Sequence, residues 1–597
     1  MNITTLSQTV ADAAGKAQKS QGLSAESFLI SLAVYGIILL FSIGVFTACK
    51  DWNPGAFQPR CLEDSTIEFL PKGRIVWIMH LISLLQDERI LIQKLGLDSL
   101  LALRLLKTII RMLLPAVLLT LPALLPVYYT AGKSGVVGLD RLSISNIQAD
   151  QDIRCWVVAL VALILDIYFC QLLMIEFQNI LDLRQAFLHD HSKDPMHLLI
   201  TELPSKMWDK EILGHALSCF TSDPIEVILP RETECDYLER HASALSNKLD
   251  LLLPAGIQNF TQKLKKDAQG IRSVAIVYFP DLFSAHLALQ VRAASVPTAM
   301  EFHVVEDSVL ASMSGIYQNR LTRSLRSLGL TSIITVLAVF WAIPIAMTGL
   351  LSQLNLSDAQ LSIIQGIVPQ VALSLLMWLF PVIIRYLVKF YPLPERCRLE
   401  VLKLRHYFIF LYTQAFLVFI SDIRSIPAIL AKNLPKASNY FYPYMVLQAL
   451  PEGLYYSCML RHSRKGHPKT AEWSSVYAVF TYLFSICIVF AVISPVILVV
   501  GLVMFAVFLM VYSYQAIYVL GGDPQSPGLL YWEALHQIFV GIYTKDIFLI
   551  GLFALQNTVG PAIIALLLLG GVALTQSYIH RNYGPLVRYI SAIRSKS

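Results

Sequence analysis

Long apolar runs dominate the chain, separated by loops in which lysine and arginine collect. About 20 apolar residues carry a helix across a bilayer. Runs of that order recur at 25–48, 103–130, 154–178, 328–352, 361–388, 407–430 and 436–460. They continue at 474–494, 496–519, 530–555 and 557–580. The stretch 474–519 is one unbroken apolar run about two crossings long, and Ser494-Pro495 divides it because proline removes a rung of the helix ladder. The last pair is less regular. Residues 530–545 are amphipathic and carry Glu533, His536, Lys545 and Asp546, so this segment suits either a span or a helix lying on the surface. The pattern predicts an all-α polytopic membrane protein of about eleven transmembrane helices.

Basic residues mark cytosolic loops. Lys50, Arg60, Lys72, Arg74, Arg89 and Lys94 follow the first run, and Arg385, Lys389, Arg396, Arg398, Lys403 and Arg405 follow the fifth. Arg461, Arg464, Lys465 and Lys469 follow the seventh, and Arg581, Arg588, Arg594 and Lys596 follow the last, whereas 353–360 has no basic residue. The N-terminus is therefore expected outside and the C-terminus in the cytosol, which requires an odd number of spans. The first run has no signal-peptidase-like end and reads as a span rather than a cleaved leader. Asn2-Ile3-Thr4 is a glycosylation sequon on the outer tail, and Asn259-Phe260-Thr261 lies on the cytosolic side.

One segment, 181–327, lacks long apolar runs. Short strands at Met196–Thr201, 225–229, 273–279 and Glu301–Val305 alternate with helical stretches at 207–219, 233–252 and 281–293. The order βαββαβ is the ferredoxin-like split motif, predicting an α+β cytosolic domain inserted between spans three and four. RNA-recognition domains share this order, but they stack bases on exposed sheet aromatics. Only Tyr278 and Phe279, at a strand end, are available for that. A packing or dimerisation module is the preferred reading, with no nucleic acid as partner. The chain divides into 1–180 with three spans, 181–327, an eight-helix core at 328–580 and a tail at 581–597.

Composition agrees: 55% of residues are hydrophobic and only 15% charged, against roughly a quarter charged in soluble domains. The net charge of +6 belongs with cytosolic loops. Nine cysteines are scattered without metal-ligand spacing, and His189-Asp190-His191 has no partner ligand nearby, so no metal site is expected. No phosphate-binding loop, dinucleotide fingerprint or hydrolase motif occurs, so neither an enzyme nor a cofactor is expected.

Polar groups inside the spans are more informative, because an ionisable side chain at membrane depth usually faces protein or water. Span six carries Phe410, Gln414, Val418 and Asp422 four residues apart, along one drifting helix face. Span seven carries Tyr444, Gln448 and Glu452 at the same spacing. The short link between them makes antiparallel neighbours, with Asp422 toward the outer end and Glu452 toward the inner end. The stripe suits a cation path or interhelical hydrogen bonding in a passive bundle. Lys432 and Lys436, in the link, reach lipid headgroups or snorkel. In span three, Asp166 is expected to pair inside the bundle and Glu176 to sit at the inner interface.

Several segments, in order, resemble one family. They are Gly96-Leu97-Asp98, Leu124-Leu125-Pro126 and Gly138-Leu139-Asp140-Arg141-Leu142-Ser143-Ile144-Ser145-Asn146. Phe340-Trp341-Ala342-Ile343-Pro344, Asn433-Leu434-Pro435-Lys436-Ala437-Ser438, Tyr512-Ser513-Tyr514 and Gln537-Ile538-Phe539-Val540-Gly541-Ile542-Tyr543 follow. Together they are similar to the OSCA-like mechanosensitive and osmosensitive, calcium-permeable cation channels, distant relatives of the anoctamins. The resemblance implies eleven spans, an outer N-terminus, a ferredoxin-like cytosolic domain that helps make a homodimer, and a pore in each subunit built from spans four to eight. Membrane lipids and permeating calcium, potassium and sodium are the implied partners. The stretch Gln448-Ala449-Leu450-Pro451-Glu452 is about a turn shorter than the family's pattern and carries a proline. An anoctamin-like lipid scramblase and a non-conducting structural or sorting protein stand as alternatives. The plasma membrane is expected, with the endoplasmic reticulum or another internal membrane as the alternative.

Overall fold

The computed structural model describes residues 25–50, 57–148, 151–221, 225–228, 275–291, 300–305, 320–341, 379–391, 396–417, 438–446, 469–521 and 528–591, several of these with short gaps. It divides into two compact units.

The first unit comprises Met1–Phe177, Thr335–Ile384 and Lys403–His580. Its N-terminal part holds α1 (Ala25–Cys49), the short α2 (Pro59–Glu63) and α3 (Val76–Leu84), α4 (Leu97–Tyr129), and the start of α5 (Asp152–Asp190). Prolines 115, 122 and 126 lie inside α4 and leave gaps in its ladder. One gap is repaired from α5: the carbonyl of Arg111, four residues before Pro115, accepts the Tyr168 hydroxyl at 2.7 Å. The turn after α4 is pinned by Asn146, whose amide donates to the Tyr128 carbonyl at 2.7 Å and accepts from the Lys133 amide at 3.1 Å.

α6 (Lys210–Leu217) and α7 (Leu282–Gln290) belong to the second unit, described below. Helices α8 (Arg320–Phe340), α9 (Leu379–Val388) and α10 (Arg396–Leu417) fall where spans four to six are expected. α11 (Trp473–Ile493) and α12 (Val496–Tyr514) break at Ser494-Pro495 as the sequence predicts. A π-turn, Gln515–Val519, ends α12. α13 (Leu529–Leu555) and α14 (Val559–Arg588) complete the series. α11 and α13 approach closely because Gly541 has no side chain: a Cβ there would meet the Ser485 backbone at 3.0 Å. Thr481 donates to Gln537 across the same seam at 2.7 Å.

Among the described residues, six helices are long and apolar enough to cross a membrane: α4, α5, α11, α12 with its π-turn, α13 and α14. The protein is an integral membrane protein. Residues 530–545 do not form a separate surface helix but are the first half of α13, where Lys545 and Asp546 are fully buried.

The second unit comprises Gln178–Ile334, Arg385–Leu402 and Arg581–Ser597. It contains a sheet of β1 (Met196–Thr201), β2 (Glu226–Ile228), β3 (Ala275–Phe279) and β4 (Glu301–Val305). The strand order is β2-β3-β1-β4 and every pairing is antiparallel, the arrangement of the split motif. Leu198, Ile200, Val277 and Phe279 form the core with Leu213 and Leu217 of α6 and Ala285 and Ala288 of α7. Asp209 and Asp281 cap α6 and α7, each accepting a backbone N–H of the first turn. The stretch 233–252 lies outside the described residues. The end of α5 holds the end of α14: Gln185 donates to the carbonyls of Leu586 and Tyr589 and accepts from the Ser591 amide at 2.9 Å.

Candidate functional site

α10 brings Phe410 and Gln414 to one face, as four-residue spacing dictates, and turns them toward α8. Gln414 is buried, and its Nε2 donates to the Ala338 carbonyl at 2.7 Å. Its Oε1 has no partner among the described residues. Phe410 is fully buried and stacks almost parallel, at 9°, on Phe380 of α9. Trp341 meets Phe380 edge-on at 5.2 Å and Phe410 at 6.2 Å. The result is a buried layer of three aromatic rings and one amide.

Tyr444 is half-buried and packs edge-on against Phe441 at 6.3 Å, and Phe441 in turn reaches Phe490 of α11. Val418, Asp422, Gln448 and Glu452 lie outside the described residues, as do Lys432 and Lys436. Phe410 and Gln414 are therefore the two members of the predicted stripe that the structure joins in one layer.

Two buried charge clusters of the same unit were only half readable in the sequence. In the first, Glu176 is fully buried and takes Arg104 Nε at 3.1 Å and Arg111 at 2.9 Å. The Tyr531 hydroxyl donates to it at 3.2 Å, backed by Thr108 at 3.4 Å. Glu176 is thus held by three partners inside the protein. In the second, Asp166 pairs with Lys545, as its expected burial required, and Lys545 also meets Asp546 at 3.3 Å. The cationic partners lie on another helix in both cases, 72 and 65 residues from Glu176 and 379 from Asp166, so spacing along one helix gives no sign of them.

Comparison with known proteins places the chain. Residues 326–553 match the family model described as "Calcium-dependent channel, 7TM region". Residues 27–176 match the one described as "Late exocytosis, associated with Golgi transport". An uncharacterized membrane protein of Schizosaccharomyces pombe is 26% identical over 97% of this chain and 79% of its own length. The Arabidopsis thaliana protein named hyperosmolality-gated Ca2+ permeable channel 1.6 is 21% identical over 81% of this chain and 76% of its own length. The S. pombe protein named calcium permeable stress-gated cation channel 1 is 25% identical, over 33% of this chain and 28% of its own length. With both membrane regions matched in order and relatives of these names, the chain belongs to the OSCA-like family.

Proposed function

We propose that the protein is a cation channel, permeable to calcium, that opens under osmotic or mechanical tension. What carries this reading is the likeness, over most of both chains, to a protein named as a hyperosmolality-gated, Ca2+ permeable channel. The matched 7TM region, 326–553, also contains the layer formed by Phe410, Gln414, Trp341 and Phe380. In this reading the chain has eleven spans, an outer N-terminus and a cytosolic C-terminus. The segment 181–327 is cytosolic and helps form a homodimer. Phe410, Gln414, Val418, Asp422, Tyr444, Gln448 and Glu452 line the path, and Lys432 and Lys436 meet lipid headgroups. Tension does work on any state of larger in-plane area, so it shifts population toward an expanded, hydrated path without a ligand. The aromatic layer is the dry state, and widening it lets water in.

The test is purified full-length protein in liposomes, patched under suction and assayed in parallel for loss of lipid asymmetry. Stretch-evoked cation current carried in part by calcium is expected, and Phe410→Ala opens at lower tension because it shrinks the apolar layer. Lipid flip without current overturns the proposal in favour of a scramblase. Silence in both assays overturns it in favour of a structural protein. For topology, a tag at residue 1 is expected to be protease-accessible from outside or from the lumen, and one near 259 protected.

A further inference from the structure

The cluster of Asp166, Lys545 and Asp546 joins α5 to α13 within the first unit. Both carboxyls reach the same ammonium, and all three side chains are 2% exposed or less. Asp166 Oδ2 and both oxygens of Asp546 accept no hydrogen bond among the described residues. The nearest titratable groups from the packed elements are Cys170, one turn along α5 from Asp166, and Tyr543 on α13. Among the described residues α14 contributes Thr575, beside Cys170, and Gln576, which accepts from the Tyr543 hydroxyl at 2.6 Å. None of these adds a second cation. Fully ionised, the cluster would carry one net negative charge in a dry interior, at a cost of several kcal/mol per uncompensated ion.

We propose that Asp166 and Asp546 form a proton-binding site: one proton is shared between the two carboxyls while Lys545 neutralises the remaining charge. The proton supplies the missing donor, so an oxygen now without a hydrogen bond gains one. No bond between heavy atoms changes. The proton comes from water and returns to it. Losing the proton leaves two carboxylates on one ammonium, so the contact between α5 and α13 weakens as pH rises. The site depends on no property of the proposed ion path, and its test does not read current.

The experiment is infrared difference spectroscopy of the full chain in lipid nanodiscs at neutral pH. A protonated-carboxyl C=O band is expected, shifted by isotope-labelled aspartate and by D2O. Asp546→Asn and Asp166→Asn each abolish it, because the single remaining carboxylate is balanced by Lys545. Lys545→Met strengthens it, because neither carboxyl then has a counter-charge. Glu176→Gln leaves it unchanged. A wild-type spectrum without an aspartate-sensitive band overturns the proposal, and that measurement needs no variant to fold. A band that survives both Asn variants overturns it as well. A band removed by sodium at constant pH also overturns it, by showing a metal cation as the occupant.

Discussion

Glu176 and Asp166 sit ten residues apart on the same helix, both buried, yet they are compensated in opposite ways. Glu176 receives two guanidinium groups and a phenol, so both its oxygens are bonded and positive charge is in excess. Asp166 shares one ammonium with Asp546, so carboxyls outnumber cations and, among the described residues, three of their oxygens accept no hydrogen bond. A buried ion pair is costly when one partner is lost and nearly neutral when a like charge is removed. The two clusters therefore respond to the same chemical change, carboxyl to amide, to different extents.

The largest effect is expected from Glu176→Gln. It removes the buried carboxylate that two guanidinium groups share and costs about 3 kcal/mol. A clear drop in the thermal unfolding midpoint of the full chain in detergent checks it. Asp546→Asn changes stability by about 1 kcal/mol or less at neutral pH, since it replaces an excess carboxyl by a neutral group. The same unfolding measurement decides, and equal losses in the two variants would break the contrast.

A third buried titratable group, His286 in α7, sharpens it in the second unit. Burial, and behind it the Arg184 guanidinium, push its imidazole down to about 4. Its Nδ1 has no partner among the described residues. The unfolded chain binds this proton below about 6.5 and the folded domain only near 4, so stability falls as pH drops between those values. Amide exchange in β1 and β3, corrected for intrinsic rates, is expected to quicken over that window in the full chain. His286→Leu flattens the dependence. The effect is confined to one small sheet and leaves the bundle untouched.

The sheet was legible because its signals are local. Short apolar runs set β1 at Met196–Thr201 and β4 at Glu301–Val305 with the limits read from sequence, and the capping aspartates start both helices. The break at Ser494-Pro495 was legible for the same reason. α5 runs to Asp190, beyond the apolar limit at 178, because its polar end is held by the backbone of the C-terminal helix through Gln185. No window of sequence contains that contact. Lys545 and Asp546 pointed toward a surface helix because charge normally seeks water, and the carboxylate that buries them is 379 residues away. The segments that carried the family resemblance prove partly structural. Asp98 accepts the Gly528 amide at 2.9 Å, Asn146 pins a turn, and Gly541 admits a neighbouring helix. Of the candidate site, spacing gave the shared face of Phe410 and Gln414, while Trp341 and Phe380 came from helices whose approach no periodicity encodes.

The prolines of α4 bear on how the protein is made. A carbonyl without its helical donor costs several kcal/mol in hydrocarbon, and Pro115 leaves the Arg111 carbonyl in that condition. Its donor, Tyr168, is 57 residues downstream and emerges from the ribosome only after α4 has been synthesised. Released alone into lipid, α4 would enter with an open rung. The translocon therefore gains by retaining it until α5 arrives and delivering the two helices as a hairpin, which makes the pair one unit of biogenesis.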